Sequence, residues 1–173
     1  MISLLKEKLV HDIKISIKFI DKRPYEYNNV LFCKALLKID DFEETISVPI
    51  EYWTIEDYEQ QWKDGLERIK TKYYSCLITS IYNPKIKPWI EFWPMWKIGN
   101  RLYIENQYIF FEIYKKVIKD RLFTLRNCYN YIPKKRTISR SERKPSIWIV
   151  DLPKEYISSS PFKKNRERAK WSL

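Results

Sequence analysis

Between positions 40 and 59 the sequence carries eight carboxylates, Asp40, Asp41, Glu43, Glu44, Glu51, Glu56, Asp57 and Glu59, with no lysine or arginine among them. Carboxylates at this density could ligate a cation, work as an acid and base, or present negative charge to a basic partner. The first use lacks its spacing, because there is no D-x-D-x-D-G calcium loop and no H-E-x-x-H zinc helix, so no metal is expected. The second lacks helpers. His11 is the only histidine and stands at the entry to a strand with no linked serine or cysteine motif. Two glycines, Gly65 and Gly99, cannot build a phosphate-cradling loop. The residues therefore disfavour an enzyme, and acids in a turn and in the first turn of a helix are also expected there for local reasons alone.

Positive charge is concentrated elsewhere. The net charge is +11, yet residues 133–145 hold six basic groups (Lys134, Lys135, Arg136, Arg140, Arg143 and Lys144) against one acid, and residues 161–173 hold five against Glu167. Two such segments could clamp a phosphate backbone, which makes a nucleic-acid-binding module the alternative reading. Cys33, Cys76 and Cys128 are odd in number and widely spaced, which argues against a disulfide framework and fits a reducing cytoplasm. The N-terminal "MISLLKEKLVHD" meets charge too early for a signal peptide, and no apolar run reaches the roughly 18 residues of a membrane span.

These charges need a scaffold. Apolar residues form 45% of 173 positions, enough for one core, so the expectation is a single α+β domain over 1–152 and a flexible basic tail over 153–173. "HDIKISIKFI" alternates with the period of a half-exposed strand. "DKRPYEYNN" reads as a turn, and "VLFCKALLKI" and "ETISVPI" read as strands joined at Asp40-Asp41. Thr54, followed by acids and the stripe Ile55, Tyr58, Trp62, Leu66 and Ile69, predicts a helix over 54–70. Strands are then expected near 73–82, 89–95, 101–110 and 146–150, with a short second helix near 113–121. The layout is largely antiparallel sheet, with the main helix between two groups of strands.

The stretch "WIEFWPMWKIGNRLYIENQ" holds three of the seven tryptophans. Trp89, Glu91, Trp93 and Met95 fall on one side of a strand and Ile90, Phe92, Pro94 and Trp96 on the other, so both faces are apolar and the strand belongs in the core. Pro94 has no N–H to give a ladder and implies an edge or bulge there. An exposed aromatic platform for bases would need cations beside it, but Lys97 and Arg101 are offset by Glu91 and Glu105.

"SVPIEYWTIEDYEQQW", "SCLITSIYNP", "WIEFWPMW", "IGNRLYIENQYIF" and "IPKKRTIS", in this order, resemble the immunity proteins of contact-dependent growth inhibition, the CdiI group. The pattern comprises Pro49, Trp53, Glu56-Asp57-Tyr58, Trp62, Ser80, Gly99, Asn106-Gln107, Phe110 and Arg136-Thr137, covers 47 to about 148, and omits the tail. The resemblance implies a small cytoplasmic bacterial protein that binds the toxin C-terminal domain delivered by a neighbouring cell, commonly a nuclease, and blocks its active site without a cofactor. An electropositive nuclease site would favour a partner that presents clustered carboxylates. The eight acids are the expected toxin-facing set, with the Asp40 turn and the first helical turn placed near each other.

Overall fold

A computed structural model describes residues 12–82, 89–109, 124–136 and 146–157. The first half is an antiparallel sheet of β1 (Ile15–Tyr27), β2 (Val30–Ile39) and β3 (Phe42–Pro49), in that order. Ile15, Ile17 and Phe19 of β1 and Cys33, Ala35, Leu37 and Ile39 of β2 turn inward, so the period-two pattern sets the buried face. The segment expected as a turn instead extends β1. Two register irregularities, between Phe19 and Asp21 and between Asp21 and Tyr25, absorb extra residues around Pro24, which cannot donate to a ladder. The turn itself is confined to Asn28-Asn29, where both residues adopt positive φ (50° and 58°), as a tight two-residue hairpin requires.

Helix α1 (Ile55–Thr71) begins at a capping box in which the Asp57 N–H donates to the Thr54 hydroxyl and the Thr54 N–H donates to the Asp57 carboxylate. It runs beside β4 (Tyr74–Ile81), the first strand of a second antiparallel sheet that continues through β5 (Ile90–Ile98), β6 (Arg101–Glu105) and β8 (Ile147–Asp151), with β7 (Gln107–Ile109) also paired to β5. Together this is the expected α+β architecture.

An edge strand leaves backbone groups open, and α1 closes those of β4 with side chains. The Ile78 N–H donates to Gln61 Oε1 (2.8 Å), Gln61 Nε2 donates to the Cys76 carbonyl (3.0 Å), and Trp62 Nε1 donates to the Ile78 carbonyl (2.8 Å). The Ile81 N–H donates to the Tyr58 hydroxyl at 3.1 Å. Gly65 permits this approach, since a Cβ there would lie 2.4 Å from the Cys76 carbonyl oxygen.

The tryptophan-rich strand is central, as expected. Trp93, Met95 and Trp96 are buried in a core shared by both sheets and the helix. Pro94 pairs with Cys76 on one side, while on the other the ladder is interrupted between Met95–Ile104 and Phe92–Gln107. The register is the same on both sides of that gap, so the single strand expected over 101–110 appears as β6 and β7. A 3₁₀ turn over Cys128–Tyr131 lies at the core, and another covers Lys154–Tyr156. The helix expected near 113–121 lies outside the described residues.

Candidate functional site

The eight acids fall into two groups at opposite ends of β3. Asp40 and Asp41 form the β2–β3 turn, Glu43 and Glu44 begin β3, and Glu51, Glu56, Asp57 and Glu59 follow its far end. Eight extended residues span about 26 Å at about 3.3 Å each. The expected closeness of the Asp40 turn and the first turn of α1 is therefore not observed, because an uninterrupted strand keeps its two ends apart. The Asp40 turn lies instead toward the last turn of α1: the Asp40 N–H donates to the Lys14 carbonyl, and nearby Asp12 pairs with Lys70.

Several of these carboxylates already have work within the chain. Asp40 pairs with Lys14 (2.8 Å), Glu59 with Lys22 (2.7 Å), and Glu43 with Lys38. Glu51 accepts the Leu31 N–H at 3.3 Å. Asp57 is held in the cap, and the Glu56 carboxyl is held below the usual carboxylate range by its own backbone N–H and by Thr54. Glu44 differs. It stands opposite Leu37 on the inward-facing side of its sheet, yet remains exposed.

The second sheet holds two further carboxylates, Glu91 and Glu105. Glu105 is 2% exposed and is matched: Arg136 Nε donates to it at 2.7 Å, Gln107 Nε2 at 2.6 Å, and the Arg136 guanidinium lies 4.9 Å from the centre of the Tyr103 ring. Glu91 accepts from Asn106 Nδ2 at 2.9 Å and from the Ser80 hydroxyl at 3.3 Å, with no lysine or arginine paired to it among the described residues. Burial pushes its carboxyl up despite those hydrogen bonds, and the charge of Glu44 adds to the rise. The signal available in the sequence was a carboxylate inside an apolar strand, "WIEFW". Its neighbours come from separate elements.

Around Glu91 a row of rings links the two sheets. Tyr25 stacks on Phe32 (5.8 Å between centres), Phe32 meets Tyr82 (6.4 Å), Tyr82 meets Trp89 (5.0 Å), and Trp89 meets Tyr108 (5.2 Å). Burial pushes up the phenols of Tyr82 and Tyr108, with Glu91 adding to both.

Of the basic residues proposed for phosphate, Lys134 and Lys135 are exposed, Arg136 is engaged by Glu105, and Arg140, Arg143, Lys144 and 161–173 lie outside the described residues. His11 also lies outside them. Among the described residues, no three His, Cys, Asp or Glu side chains gather to hold a metal, and no helix is long and apolar enough to cross a membrane. Cys76 and Cys128 are buried with Gln61 Nε2 near both sulfurs, and burial pushes the Cys76 thiol up, away from the reactive thiolate. What the surface offers is charge and aromatic rim for contact.

The chain is similar to the immunity protein CdiI of Enterobacter cloacae subsp. cloacae, with 28% identity over 135 residues that cover 78% of this chain and 89% of the relative. Its fold matches a chain of the CdiA-CT/CdiI toxin and immunity complex from Enterobacter cloacae with a TM-score of 0.63 and 27% identity, covering 80% of this chain and 90% of that one. The model of the CdiI N-terminal domain matches residues 48–155, from the end of β3 into the last 3₁₀ turn and more than half of the 173 residues. The chain belongs to the CdiI N-terminal domain family.

Proposed function

We propose that this protein binds a cognate toxin C-terminal domain inside the receiving cell and neutralises it by covering its active site. The likeness over 80% of the chain to a protein of a toxin and immunity complex carries the reading. The toxin in this proposal is a nuclease. A site that holds phosphates must be electropositive, and carboxylates on an incoming partner speed and orient docking. The acids at the Asp40 end of β3, Asp41 and Glu44 foremost, supply such charge. The protein acts as a ligand, without turnover, cofactor or membrane insertion.

The test is co-expression with the toxin domain encoded by the adjacent reading frame, with an affinity tag on the toxin alone. A stoichiometric complex that survives size exclusion, together with protection of the producing cells, is the expected outcome. Separate elution and no protection would reject the assignment.

A further inference from the structure

Resting on that reading, we propose that the basic C-terminal tail of this chain occupies the groove between α1 and the start of β1 in the free protein, with Phe162 in the groove, and that the toxin must displace it to reach the carboxylates there. The groove holds about 150 Å³. Ile13, Ile15 and Ile69 give it a buried apolar floor, while Asp12 and Glu67 stand at its edge, 66% and 63% exposed, and share the Lys70 ammonium at 3.3 Å and 3.0 Å. The Asp40 turn is next to it, since the Asp40 N–H donates to the Lys14 carbonyl at 2.8 Å.

Lys97 fixes where the tail starts. Its ammonium donates to the carbonyls of Lys70 and Tyr156, each at 2.9 Å, and so joins the last turn of α1 to the 3₁₀ turn over Lys154–Tyr156. Lys70 also lines the groove, so the chain passes Tyr156 and Ile157 at the groove's own end before residues 158–173 follow. An extended chain spans at most about 3.6 Å per residue, which lets Phe162 stand up to about 18 Å from Ile157. The groove is within that reach.

Charge and apolar surface both match. Residues 161–173 carry five basic groups against Glu167, with Phe162 immediately before Lys163 and Lys164. Around the groove Lys14 offsets Asp40, and the exposed carboxylates of Asp12, Asp41 and Glu67 outnumber Lys63 and Lys70. A ring in the apolar floor therefore places the two lysines beside opposite charge. A tethered segment meets its site at an effective concentration in the millimolar range, so contacts too weak to hold a free peptide suffice. Toxin affinity is then reduced by the fraction of molecules whose groove is open. The tail acts as a built-in competitor that a strongly basic toxin surface displaces and a weaker one does not.

Carbodiimide coupling of amines to carboxylates, mapped by mass spectrometry on the full chain at low salt, should join Lys163 or Lys164 to Asp12 or Glu67. The Lys22–Glu59 pair, at 2.7 Å, serves as the reference link. Saturating toxin domain should abolish the tail links and spare the reference. A reference link without tail links, or groove carboxylates joined to Lys6 or Lys8 instead, would overturn the proposal. The second readout is the association rate with the toxin. A full-length variant carrying Lys163→Gln, Lys164→Gln, Arg166→Gln, Arg168→Gln and Lys170→Gln should associate about three- to tenfold faster at low salt. Lower net charge alone would also speed it, so the comparison is repeated with Asp12→Asn and Glu67→Gln, where the gain should vanish. An equal gain in both backgrounds, or none in either, contradicts the competitor. If wild type forms no complex with the toxin, the immunity reading fails, and the cross-links still decide the place of the tail by themselves.

Discussion

The two sheets place their carboxylates under opposite conditions. In the first, Lys14–Asp40 and Lys38–Glu43 lie in water, with at least 42% of each side chain exposed. In the second, Glu105 is 2% exposed against an Arg136 that is 20% exposed, and half-buried Glu91 accepts from Asn106 and Ser80. Exposed pairs contribute little because water and salt screen them, whereas a buried charge requires a partner or keeps its desolvation penalty. The outer charges of the first sheet can therefore be rearranged at small cost to the fold. Those of the second sheet are tied to packing and to hydrogen bonds within the chain.

The edges differ in the same way. The exposed side of the first sheet carries lysines and acids, while β4 of the second is closed by Gln61, Trp62 and Tyr58. The largest effect is expected from Gly65→Val. Its Cβ would meet the Cys76 carbonyl oxygen at 2.4 Å, so α1 must retreat and release the bonds to Ile78 and Cys76. A loss of at least about 3 kcal/mol in urea unfolding is expected. A change below about 1 kcal/mol would show that the edge does not depend on this approach.

A smaller effect is expected at the buried pair. Arg136→Ala should cost about 3 kcal/mol, because it strands Glu105 in the core. Lys38→Ala, at an exposed pair, should leave the urea midpoint unchanged within error. Equal effects from the two substitutions would erase the contrast between the sheets.

How much of this was legible depended on the range of the information. Ile15, Ile17 and Phe19 alternate with polar residues, and Thr54 with Asp57 announces a helix start, so these elements could be read locally. The burial of Trp93 and Trp96 followed from a strand apolar on both faces. The extension of β1 past Pro24 was missed, because a bulge lets a strand carry residues that otherwise signal a turn. Gln61 lies beside the apolar stripe, and only the arrival of β4 fifteen positions later gives its amide a use. The Arg136–Glu105 pair joins positions 31 apart. The acids around β3, close in sequence, are held apart by the strand between them. Periodicity encodes which way a residue faces, not what it meets there.

The central claim is that this protein acts by occupying a toxin's catalytic face. Titrating the purified protein into its cognate toxin domain, with cleavage of nucleic acid followed continuously, tests this most directly. The account predicts a linear fall in activity that reaches zero at one equivalent. A saturated complex that still cleaves its substrate at the free toxin's rate would contradict it.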